Sequence, residues 1–216
     1  MNPDLINDPD DDFANDKDIQ ASRKKLAEFL KLMDDSTAIV TNAFNATKSS
    51  HKNLKHFFLH QSIRIPFILH SYEGKWNNRD IYFCMLQYGT NVPTGRMSNS
   101  GDDNYFAGVI DLSRSYPQTI AQPETFAMKI ADLVTKADVD FAHAKKFSRK
   151  FHVVTKDKSA LELLLYNKDL DAIVPYASAE FELLEKQCYF RVSRKPVSLE
   201  EAEQFVELAK TLVGLF

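Results

Sequence analysis

The chain has 216 residues, 44% hydrophobic and 12% aromatic, enough to bury a core as one sizeable domain or two small ones. A formal net charge of −3, a pI near 6.1 and no legible nucleic-acid-binding motif argue against a nucleic-acid partner. No run of eighteen apolar residues occurs, and no cationic N-terminal stretch leads into an apolar one, so neither a membrane span nor a signal peptide is expected.

Residues 1–18 hold seven Asp against one Lys, which leaves +3 on the remaining residues. With few large apolar side chains to offset ordering entropy, 1–18 is expected to be a disordered acidic tail. Ile19, Leu26, Phe29, Leu30 and Met33 then fall on one stripe and predict an amphipathic helix over 19–33. The polar 34–53 stretch reads as a linker with at most a short helix. IRIPFILHSY and RDIYFCMLQY have strand chemistry and flank EGKWNN, which predicts a β-hairpin with Pro66 at an edge or a bulge.

A polar loop is expected over 89–104, a strand over 105–112, a two-proline connector over 115–123 and a short helix over 124–135. SRKFHVVT reads as a strand over 148–155, after which Asp157 or Thr155 can cap the LELLL segment. Asn167 is a further candidate cap ahead of Leu170. EFELL and CYFRVSR, flanking Glu185, Lys186 and Gln187, suggest a second hairpin. Ser198 and Glu201 have capping-box spacing before a C-terminal helix with Ala202, Phe205, Val206, Ala209, Leu212, Val213 and Phe216 on one face. The expected fold is a single α+β domain over 19–216, a mainly antiparallel sheet of about five to seven strands packed with terminal and connecting helices. A small β-barrel capped by the C-terminal helix is the alternative.

Four groups of residues could carry chemistry or binding. His56 and His60, four apart, would share one face of a helix and form a pair of metal ligands, with Asp102 and Asp103 as carboxylate partners from the 94–104 loop. Lys145, Lys146, Arg149 and Lys150 would form a basic surface with Arg191 and Arg194 if the two strands carrying them are neighbours. Cys84 and Cys188 lie in apolar runs without metal or redox spacing, so buried free thiols in a reducing, cytoplasmic setting are expected. The wide apolar stripe of the C-terminal helix, flanked by Leu199, Leu208 and Leu215, could serve a homodimer.

Phe147, Phe151 and Val153 with Asp157, the Leu161 to Leu165 run, the segment from Cys188 to Arg194, the closing helix and the earlier hairpin together resemble a broad group of uncharacterised bacterial domains of unknown function. The resemblance spans roughly residues 60–213 and rests on apolar patterning. Relatives in that group often carry membrane anchors, whereas a soluble helix and an acidic tail precede the domain here. The resemblance implies a bacterial cytoplasmic module and supplies no catalytic residues. The expected function is a non-catalytic interaction module that binds a protein partner, an anionic surface or its own acidic tail, with no cofactor. A metal-dependent hydrolytic enzyme using the His/Asp set is the alternative.

Overall fold

The computed structural model describes residues 11–61, 66–88, 104–125, 138–193 and 195–216. Its architecture is α+β: a six-stranded antiparallel sheet with helices at both ends of the chain, and the open sheet rules out the barrel. Helix α1 spans Asp11–Ala43, so 11–18 is helical rather than disordered, and the first half of the expected linker is helix as well. Its apolar stripe continues through Val40, which is why the helix does not stop at residue 33. Residues 1–10 lie outside the described residues.

After the short strand β1 (Thr47–Lys48) and the single-turn helix α2 (Phe58–Gln61), strands β2 (Pro66–Trp76) and β3 (Arg79–Tyr88) form the expected hairpin. Its turn is tighter than EGKWNN, because Asn77 (φ 48°) and Asn78 (φ 61°) take the left-handed conformations that a two-residue turn requires. β1 pairs with β2 only at Tyr72 and Glu73, which leaves Pro66 on an open edge near a bulge between Ile68 and His70. A Cβ on Gly74 would meet the Phe44 carbonyl oxygen at 2.6 Å, so glycine is what lets the end of α1 lie against the hairpin.

Strand β4 (Asn104–Pro123) absorbs both the expected third strand and the two-proline connector. Pro117 is tolerated because the ladder is irregular between Tyr116 and Thr119, and Pro123 ends the strand. The expected helix over 124–135 lies outside the described residues except for Glu124 and Thr125, which are not helical. The expected strand starts three residues late: Ser148 ends the one-turn helix α3 (Lys145–Ser148), and strand β5 runs from Phe151 to Thr155. Phe147 and Phe151 are both buried, with rings stacked 4.8 Å apart, so the helical turn serves the core. Helix α4 (Lys158–Leu165) is capped by Asp157, whose carboxylate accepts from the Ala160 amide at 3.0 Å. The 3-10 helix Leu170–Tyr176 starts after Asp169 and not at the candidate cap Asn167.

Strand β6 (Glu180–Arg191) is continuous, which corrects the expected second hairpin. Glu185 has φ 52°, and the five steps of β4 from Asp111 to Tyr116 face only two steps of β6, from Gln187 to Glu185. The extra residues lie on β4, so the polar run at 185–187 is a bend in β6 opposite a bulge of β4. One edge of β4 pairs with β6 along its length, while β3 and β5 share the other edge. Helix α5 (Leu199–Leu215) closes the fold, with Ser198 accepting from the Glu201 amide at 3.1 Å as the capping-box spacing predicts.

The sheet buries both faces. One carries the main core against α5, the C-terminal half of α1, α4 and the 3-10 helix. The other carries Tyr82, Cys84, Leu86, Tyr105, Val109 and Tyr189, and is covered by Leu54, Phe57 and Leu59. Gly108 belongs to the main-core side, where a Cβ would meet the Phe190 ring at 2.4 Å. No helix among the described residues is long and apolar enough to cross a membrane.

Candidate functional site

Two places gather charged side chains: a buried crook in β6 and an exposed surface on α3 and α4. A straight twelve-residue strand would hold its ends about 36 Å apart. Yet Arg191 Nε donates to Glu180 Oε2 at 2.7 Å and Nη2 contacts the same oxygen, so the two ends of β6 meet by folding over α2. Glu182 binds α2 directly, its carboxylate accepting from the Leu59 amide at 2.9 Å and from Gln118 Nε2 at 3.0 Å.

Arg191 is wholly buried, which corrects its expected role as a surface anion contact. Its Cζ lies 5.8 Å from the centre of the Tyr105 ring, and burial, which lowers its pKa, is outweighed by Glu180 and the neighbouring tyrosines, which raise it. β5 and β6 are also not neighbours, because β4 lies between them, so the proposed pooling of Arg149 with Arg191 fails. Arg194 lies outside the described residues.

The histidine pair is not arranged as expected either. His56 precedes α2, so the one-face helical argument does not apply. Its Nε2 lies 3.2 Å from Gln187 Oε1 at the exposed rim, while His60 is buried with its Nδ1 unpartnered among the described residues. Burial first, then the charge of Arg191 and then His56, lowers the His60 pKa to about 4. Asp102 and Asp103 lie outside the described residues, among which no three His, Cys, Asp or Glu side chains form a metal-binding group. A second carboxylate and histidine, Asp138 and His152, lie 3.6 Å apart. Asp138 is committed to the backbone, accepting from the amides of Val139 at 2.9 Å and Val153 at 2.6 Å.

The exposed surface has a different character. Lys145, Lys146, Arg149 and Lys150 are all exposed, and none forms an ion pair among the described residues. Elsewhere Lys52, Lys75 and Lys210 each meet a carboxylate within 3.1 Å. Segment 143–168 holds seven Lys or Arg against two acidic residues, a net +5, and the Asp171 carboxylate of the 3-10 helix accepts from the Phe147 amide at 2.9 Å within it. Leu163 is 81% exposed and Tyr166 68% exposed, and the Tyr166 ring lies 6.0 Å from that of His143, two residues before Lys145. Sequence reasoning found the cations from local composition and missed Leu163 and Tyr166, because α4 is short and every Leu in LELLL reads equally as core.

The C-terminal helix does not carry a surplus apolar face. Leu208 and Leu215 are buried in the fold, and Leu199 is exposed. Cys84 and Cys188 are buried free thiols; burial pushes Cys84 up to about 12, and Cys188 is raised as well. No family model, curated protein or solved structure matches the chain.

Proposed function

We propose that the protein is a non-catalytic interaction module whose α3 and α4 surface binds an acidic segment of a protein partner. The observation that carries this reading is the group of four exposed cations that form no ion pair among the described residues, linked through the His143 and Tyr166 rings, 6.0 Å apart, to the exposed Leu163 and Tyr166. Unpaired like charges repel one another, and an acidic partner relieves that repulsion while the cations steer its approach. A Leu and a Tyr side by side suit a small protein hot spot, whereas a bilayer anchor needs a longer apolar face. The buried polar groups support the same reading: Arg191 is spent on Glu180, Glu182 on the Leu59 amide, and Asp138 on two backbone amides. Two buried free thiols suit a reducing compartment, and we place the protein in the cytoplasm.

The test is fluorescence anisotropy with a labelled Glu-rich peptide containing one Leu and one aromatic residue. The full chain should bind it, more weakly as salt rises. Joint replacement of Lys145, Lys146, Arg149 and Lys150 by Glu should abolish binding, and Leu163→Ala with Tyr166→Ala should weaken it about tenfold or more. Equal affinity in the charge-reversed variant, or binding confined to phosphatidylserine vesicles, refutes the proposal.

A further inference from the structure

Residues 19–28 of α1 are all exposed, and the helix first engages the core at Phe29 and Met33. Residues 19–28 therefore stand off the body as nearly three turns of helix, roughly 15 Å long, and the helix begins further N-terminally, at Asp11. At its far end is the most acidic part of the chain, because residues 1–18 carry seven Asp and one Lys, a net −6. On the body is the basic surface of α3 and α4, whose four cations form no ion pair among the described residues, within a segment of net +5. One chain thus carries two complementary charges, one of them on the segment that includes the start of this helix.

We infer that the occupant of the α3 and α4 surface in the unpartnered protein is the acidic N-terminal stretch, residues 1–18, of a second copy of this chain. This rests on the proposed acidic-partner reading of that surface. Charge complementarity supplies the match: six net negative charges meet a surface where Lys145, Lys146, Arg149 and Lys150 have no carboxylate of their own among the described residues. Leu5, Ile6 and Phe13 give the stretch apolar residues to set against Leu163 and Tyr166. The arm supplies the geometry. A continuous helix that leaves its own core at Phe29 holds the acidic end out toward another molecule. Two copies exchanging their N-terminal stretches make the same contact twice about a two-fold axis, which closes the assembly as a dimer. The second contact is then intramolecular and gains from its high effective concentration. The exchanged stretch also competes with any external acidic partner, so self-association and partner binding are mutually exclusive.

Sedimentation velocity of the full chain at low salt tests the inference. The mass should rise from monomer to dimer with concentration and return to monomer at high salt. Deleting residues 1–18, or reversing the four cations to Glu, should each abolish the dimer while the circular-dichroism melt shows the body still folded. A labelled peptide of residues 1–18 should bind the deletion variant and lose about tenfold or more in affinity on charge reversal. The deletion variant should also bind the Glu-rich probe more tightly than the full chain, since its competitor is gone. A monomer at every concentration in low salt, or a dimer that survives either change, overturns the inference. If the 1–18 peptide fails to bind while the Glu-rich probe binds, the self-docking falls and the acidic-partner reading stands. If neither peptide binds, both fall.

Discussion

His60 sits where a charge is least welcome, buried under the bent strand with Arg191 close enough to oppose its protonation. Arg191 is positive, Glu180 is taken up by Arg191, Glu182 is bound to Leu59 and Gln118, and His56 opposes protonation more weakly from the rim. The folded pKa of about 4 is below the unfolded value of 6.5, so between these values the unfolded chain binds more protons. Stability from this residue is fully present above pH 6.5 and falls as the pH drops toward 4, by an order-of-magnitude 3 kcal/mol across the window. His60→Gln keeps a polar side chain and removes the titration. Urea unfolding at a series of pH values should show the native chain losing about 3 kcal/mol more than His60→Gln between pH 6.5 and 4. Parallel stability curves for the two proteins would mean that His60 is not held neutral by its surroundings.

The bend of β6 joins residues eleven positions apart, and the join depends on both members of one ion pair. Glu180→Gln leaves the Arg191 charge buried without its carboxylate and is expected to cost about 3 to 5 kcal/mol. Replacing both, with Glu180→Leu and Arg191→Met, removes the charge and its desolvation together, so the double variant should be more stable than the single one when guanidinium unfolding midpoints are compared. The bend also shows where the sequence stops being legible. The β2 and β3 hairpin, the caps Asp157 and Ser198 and the C-terminal helix follow local rules, and each is in place. Glu185, Lys186 and Gln187 also obey a local rule, that polar residues between apolar runs make a turn, but a β-bulge satisfies it equally well. Arg191 alternates with apolar neighbours as a surface residue would, and only the fold-over of β6 turns that face inward. The four cations of α3 and its following turn needed no long-range information, since their exposure comes from Phe147 and Phe151 anchoring the turn beneath them.

At the scale of the molecule the chain divides into a body and an arm. The stripe that includes Met33 and Val40, 8% and 0% exposed, continues N-terminally through Leu26 and Ile19, which are 57% and 42% exposed. The same spacing of seven residues thus serves the core on one side of Phe29 and faces outward on the other. Because an unsupported helix of this length is marginal in water, the arm contributes little to the stability of the body. Met33, Val40 and Phe44 are different, since burying each is worth roughly 1.5 to 3 kcal/mol and their sum is comparable to the roughly 5 to 15 kcal/mol that holds a domain folded. Deleting residues 1–28 should therefore shift the melting temperature by no more than about 4 °C at low protein concentration, where self-association does not contribute. Deleting residues 1–44 should abolish the cooperative transition, because it also uncovers Phe83, whose ring packs 6.2 Å from that of Phe44, and the side of α5 that faces α1. Circular-dichroism melts of the two truncated chains decide the point: a large loss of stability on removing only the arm would place residues 11–28 in the folding unit rather than outside it.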